Sequence, residues 1–111
     1  MKIYKGQKSK LGPPAVAVVF PDASYPNYRL PHIKRHSPDG FNWGYGGSGP
    51  ADLALSILTD FAGKDVAEKL YQKFKSEFIA LADSELSIPD VLILEWIEKQ
   101  GFELKTFLKI R

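Results

Sequence analysis

His32 and His36 are the only histidines of the 111-residue chain, separated by three residues, Lys34 and Arg35 among them. On one helical face, with Asp39 as a third ligand, that spacing would suit a transition metal. Pro31 and Pro38 bracket the segment and no H-E-x-x-H pattern exists, so no metal or other cofactor is expected. Used as acid and base, with Lys34 or Arg35 on a phosphate, the same pair would suit a metal-independent phosphodiesterase or nuclease. Ser48 lies in Gly-Gly-Ser-Gly, which is not the strand–turn–helix elbow of a serine nucleophile. Asp39, Asp52, Asp60 and Glu95 are scattered, with no spacing for a carboxylate pair. With no cysteine, thiolate catalysis, disulfides and Cys-ligated metals are excluded. A non-enzymatic role is the expectation.

The richest stretch is Phe41, Asn42, Trp43, Gly44, Tyr45, Gly46, Gly47, Ser48, Gly49 and Pro50, which holds four of the nine glycines and three aromatics. Gly44, Gly46 and Gly49 spell G-x-G-x-x-G, but no apolar strand precedes them and helical patterns follow, which excludes a dinucleotide fold. Pro50 and Ala51 stand where a phosphate loop needs Lys and Ser/Thr. Asp52 argues against an anion at the helix start, because its carboxylate in the first turn already satisfies the dipole. If the segment is extended, Phe41, Trp43 and Tyr45 share one face. They then form a stacking platform for a base, with glycines admitting close approach, or they cover the next helix as packing.

The elements that must position these residues follow from patterning. Residues 3–5, the apolar run 15–20 and residues 28–30 read as short strands, and Ser37-Pro38-Asp39-Gly40 fits a type I turn. A nearly all-apolar first helix runs from about Pro50 to Ala62, capped by Ser48 or Gly49 and stopped by Gly63; only Asp52, Ser56, Thr59 and Asp60 make a polar stripe. A second helix starts with an Asp65/Glu68 capping box and continues to about Ala82. A third begins at Ser87, with Pro89 and Asp90 in its first turn, and ends at Gly101. From Phe102 to Ile110 apolar and polar residues alternate, which predicts a closing strand against the N-terminal ones. The expected fold is α+β: a small, mainly antiparallel sheet of N-terminal strands plus a C-terminal strand, packed on about three α-helices in one domain, residues 1–111.

The string from Ser37 through the Gly/aromatic segment to Leu55, SPDGFNWGYGGSGPADLAL, resembles the signature of an uncharacterised family, domain of unknown function 6166. The resemblance implies a small protein of bacteria, archaea or their viruses and plasmids, and places any site at the glycine–aromatic loop. It implies no activity. Position 52 departs from the pattern, with Asp in place of a frequent Gln.

Composition sets the outer bounds. A chain of this length buries about two-thirds of its unfolded surface, enough for one core without staples. No apolar run reaches membrane-spanning length, and the first residues lack the apolar stretch of a signal peptide, so a cytoplasmic protein is expected. Residues 1–36 carry seven basic side chains against Asp22 alone, while residues 37–111 carry eight basic and twelve acidic. That asymmetry marks either a surface for nucleic acid or an acidic partner, or lysines and arginines that merely keep strands soluble. The expected function is a binding module for nucleic acid or a nucleotide-like anion, using residues 41–49 with positive charge from Arg29, Lys34 and Arg35. The alternatives are a protein-interaction or structural module, a homodimer through leftover apolar helix surface among them, and the His32/His36 phosphodiesterase.

Overall fold

A computed structural model of the chain describes residues 1–104. Four strands, β1 (Ile3–Gln7), β2 (Val16–Val19), β3 (Tyr28–Arg29) and β4 (Glu85–Pro89), form one antiparallel sheet in the order β3-β2-β1-β4. With α1 (Ser48–Ala62), α2 (Lys64–Phe74) and α3 (Asp90–Lys99) they make an α+β fold. Strand alternation gives the sheet two unlike faces. Tyr4 pairs with Val18 and Ile88, and all three are buried in the core. Lys5, one residue on, pairs with Ala17 and Ser87, and Ala17 with Arg29, so the opposite face carries charge.

Helix α1 is the centre of the core. Leu53, Ala54, Ile57 and Leu58 have no exposed surface, as a helix apolar on most sides requires. It begins at Ser48 rather than Pro50, with Gly47 as the cap residue and no side-chain cap. Gly63 ends it at a positive φ of 92° and also opens α2, so the Asp65/Glu68 capping box does not form. Beyond Phe74 the chain widens into a π-helical turn, Lys75–Ile79. Phe74 and Phe78 stack there at 4.8 Å, and both meet the edge of Trp96.

Residues 85–89 correct the sequence reading. Ser87 does not start the third helix; it lies in β4, where Leu86 and Ile88 alternate inward against exposed Glu85 and Ser87. Pro89 ends the strand and is itself the cap residue of α3. The junction is locked to β1: the Asp90 backbone N–H donates to the Lys2 carbonyl, and the Lys2 N–H donates to Asp90 Oδ2. β4 thus takes the place beside β1 expected for a C-terminal strand. Residues 102–104 carry no strand, and the remainder of that alternating segment lies outside the described residues. No helix among the described residues is long and apolar enough to cross a membrane.

Candidate functional site

The polar stripe of α1 is a seam rather than a solvated face. Asp52, Ser56 and Asp60 are spaced by one turn each and fasten three different parts of the chain. Asp60 accepts from the Tyr4 hydroxyl at 2.6 Å, the Tyr28 hydroxyl at 2.7 Å and the Lys2 ammonium at 3.0 Å. Burial, and then the hydrogen bond to that carboxylate, push the ionisation of Tyr4 and Tyr28 well above the usual range. Ser56 Oγ accepts the Ile33 N–H at 2.9 Å. Asp52, with no exposed surface, accepts the backbone N–H groups of Arg35, His36 and Ser37 and the His32 Nε2 at 2.8 Å.

Burial opposes charge on Asp52, but the His32 ring and the three N–H groups outweigh it and hold the carboxyl below its usual range. A carboxylate only accepts, so the proton between them belongs to Nε2 of His32. Asp52 was read from sequence as a dipole-satisfying residue of the first turn. Its actual part is to fold residues 32–37 around itself. Nothing in a single Asp on a helix announces this; the turn residues Ser37, Pro38 and Gly40 on the other side are the only sequence signal.

The Gly/aromatic segment divides in two. Trp43 has no exposed surface and Phe41 only 6%, whereas Tyr45 is 47% exposed. A shared stacking face of all three is therefore absent: Phe41 and Trp43 are core, and Tyr45 is the ring of the loop that meets solvent. Trp43 donates from Nε1 to the Asp83 carbonyl at 2.7 Å. Gly44, at φ 87°, gives its N–H to the Ile79 carbonyl, and Gly49 passes close to Asn42, where a Cβ would stand 3.0 Å from the Asn42 Cβ. Gly46 touches nothing that a Cβ would meet, and the Tyr45 ring lies over Gly47. The Lys8 ammonium sits 5.8 Å from the centre of that ring.

Two clefts flank this loop and share Pro13, Gly40 and Phe41 as a rim. One, of about 400 Å³, is lined by Asp39, Asn42, Tyr45, Ser48 and Gly49. The other, of about 350 Å³, is lined by Pro14, Arg29, Leu30, Pro31 and His32. Arg29 pairs with no carboxylate among the described residues, and neither does Lys34. Arg35 differs: its guanidinium grips Glu68 with both terminal nitrogens, Nη2 to Oε2 at 2.6 Å, so its charge is neutralised locally.

His36 faces another way. It lines a shallow depression with Lys34, Arg35, Ser37 and Pro38, and its Nε2 lies 2.8 Å from the Tyr71 hydroxyl. The two histidines line different clefts. Among the described residues no cluster of three metal-ligating side chains occurs. A family model described as a family of unknown function, DUF6166, matches residues 4–99. No curated protein and no solved structure matches the chain.

Proposed function

The chain belongs to DUF6166, a family of unknown function, and from that premise we propose a non-enzymatic, cytoplasmic binding module for nucleic acid or a nucleotide-like anion. The observation that carries it is Tyr45, a half-exposed ring at the mouth of a cleft with the Lys8 ammonium beside it. A base stacks on such a ring, and the ammonium answers its phosphates together with Arg29 and Lys34, which pair with no carboxylate among the described residues. Asp39 lines the Tyr45 cleft and disfavours an anion at the α1 terminus, which directs the phosphates toward the basic side chains.

Fluorescence anisotropy of labelled single-stranded oligonucleotides and nucleotides at low salt tests this. Affinity is expected to fall steeply with added salt. The Tyr45→Ala variant should weaken binding by about 1–3 kcal/mol, the worth of one stacked base. Salt-independent binding, or an unchanged Tyr45→Ala variant, removes the reading.

A protein partner is the second reading, favoured by Leu11, which is 97% exposed beside Gly12 at the lip of the Tyr45 cleft. In that case Leu11→Ser abolishes partner binding while oligonucleotides have no effect on either protein.

A further inference from the structure

We infer that the proline-walled cleft is a subsite for a phosphate ester, held by Arg29 and by Nδ1 of His32. This rests on the nucleotide reading above and names the place of the phosphate within it.

His32 is oriented from two sides. Its Nε2 is fixed on Asp52 at 2.8 Å, and its ring packs on Phe41 with centroids 4.7 Å apart. A carboxylate on one ring nitrogen sets the direction in which the other is presented. That other nitrogen, Nδ1, has no hydrogen-bond partner among the described residues, yet it is not a buried orphan, so it is open to solvent, and His32 is one of the residues that line the cleft.

The cleft also contains positive charge with no internal counter-ion. Arg35 is tied to Glu68 and Lys2 to Asp60, but Arg29 has no carboxylate among the described residues. Arginine takes two oxygens of a phosphate at once. With Nε2 protonated toward Asp52, Nδ1 accepts from a P–OH or a sugar hydroxyl when the ring is neutral and donates to a phosphate oxygen when it is charged. A nucleotide phosphate supplies anionic oxygens together with a P–OH in its monoester monoanion or a neighbouring sugar hydroxyl; a carboxylate supplies only acceptors.

The walls are preorganised. Pro13, Pro14 and Pro31 have fixed φ, so little order is lost on closing around a ligand. Gly40, at φ 122°, allows the rim to be thin: a Cβ there would stand 2.9 Å from that of Pro13. A base on Tyr45 and a phosphate beside Arg29 are then the two ends of one ligand lying across that rim.

The test uses inorganic phosphate as the probe, followed on the histidine ring nitrogens by NMR at constant pH, with sodium chloride as the ionic-strength control. His36, engaged on Tyr71, is the internal reference. Phosphate should shift the His32 signals saturably and leave His36 unmoved. Arg29→Gln, an exposed strand position, should weaken that titration by about tenfold, equivalent to one charge-assisted hydrogen bond. Tyr45→Ala should not affect it, because inorganic phosphate has no base to stack. A His32 signal that does not saturate, or an Arg29→Gln titration equal to the parent, overturns the subsite. Oligonucleotide binding through Tyr45 with a silent His32 refutes the subsite alone; phosphate at His32 with no nucleotide binding supports it and refutes the proposed function.

Discussion

The indole of Trp43 lies against Gly6 of β1 so closely that a Cβ on Gly6 would stand 2.8 Å from the ring. A loop aromatic and a strand glycine are thus one packing unit, and Asp83 closes it by accepting the indole N–H. Gly6→Ala must push the ring or the strand aside, an overpacking cost of about 1–3 kcal/mol. Trp43→Ala leaves a cavity and should cost about 3–5 kcal/mol. Urea unfolding measures both, and an undiminished Gly6→Ala midpoint would mean the contact is slack. Trp43 variants report on folding and cannot serve as probes of ligand stacking.

Asp52 makes the loop of residues 32–37 sensitive to acid. Its carboxyl titrates lower in the folded chain than its ordinary value of 3.8. A depressed carboxyl stabilises the fold fully above the unfolded value, and that stabilisation is lost as pH falls from there through the folded value. The Asp52→Asn variant should therefore be less stable at neutral pH and show a flatter acid limb. Breaking such a buried charged network typically costs about 3–5 kcal/mol. Denaturant melts across the acid range would reveal the difference; parallel acid limbs would count against it.

The two tyrosines on Asp60 give the opposite sign. Their ionisation is raised on folding, so their contribution is complete below the ordinary value of 10.0 and is lost as pH climbs beyond it. Of the five tyrosines, Tyr4 and Tyr28 should resist ionisation until the chain unfolds, as followed by ultraviolet absorbance in alkali. Tyr4→Phe should destabilise by about 1.5–3 kcal/mol, the range for a hydrogen bond to a charged group. Early ionisation of all five would dismiss the clamp.

The Arg35–Glu68 pair is exposed, and solvent screening leaves such pairs little part in stability. Glu68→Gln should hardly move the thermal midpoint. It should strengthen oligonucleotide binding at low salt, because Arg35 regains an unneutralised charge beside Lys34. Weaker binding would show that Arg35 must be held by Glu68 to act.

Local chemistry made much of this molecule legible. The central position of α1 followed from its apolar residues, its end from Gly63, the turn at Pro38 and Asp39 from their types, and the α+β class from the mixture of periods. These depend on neighbours in sequence, which propensity and period describe. The sequence also singled out the loop from Phe41 to Gly49, but not which of its rings are buried.

What needed the tertiary structure is whatever depends on partners far along the chain. The pattern of residues 85–89 fits a helix cap as well as a strand, and pairing with β1 decided for β4 because Leu86 and Ile88 then bury together. Period two places Phe41, Trp43 and Tyr45 on one face, but Gly44 at a positive φ turns the chain between Trp43 and Tyr45. Trp43 goes to the core and Tyr45 to solvent. Asp52 reads as one acidic residue on an apolar helix until residues 32–37 close over it. A buried carboxylate is tolerated only where donors converge, and that convergence exists only once the loop has folded onto the helix.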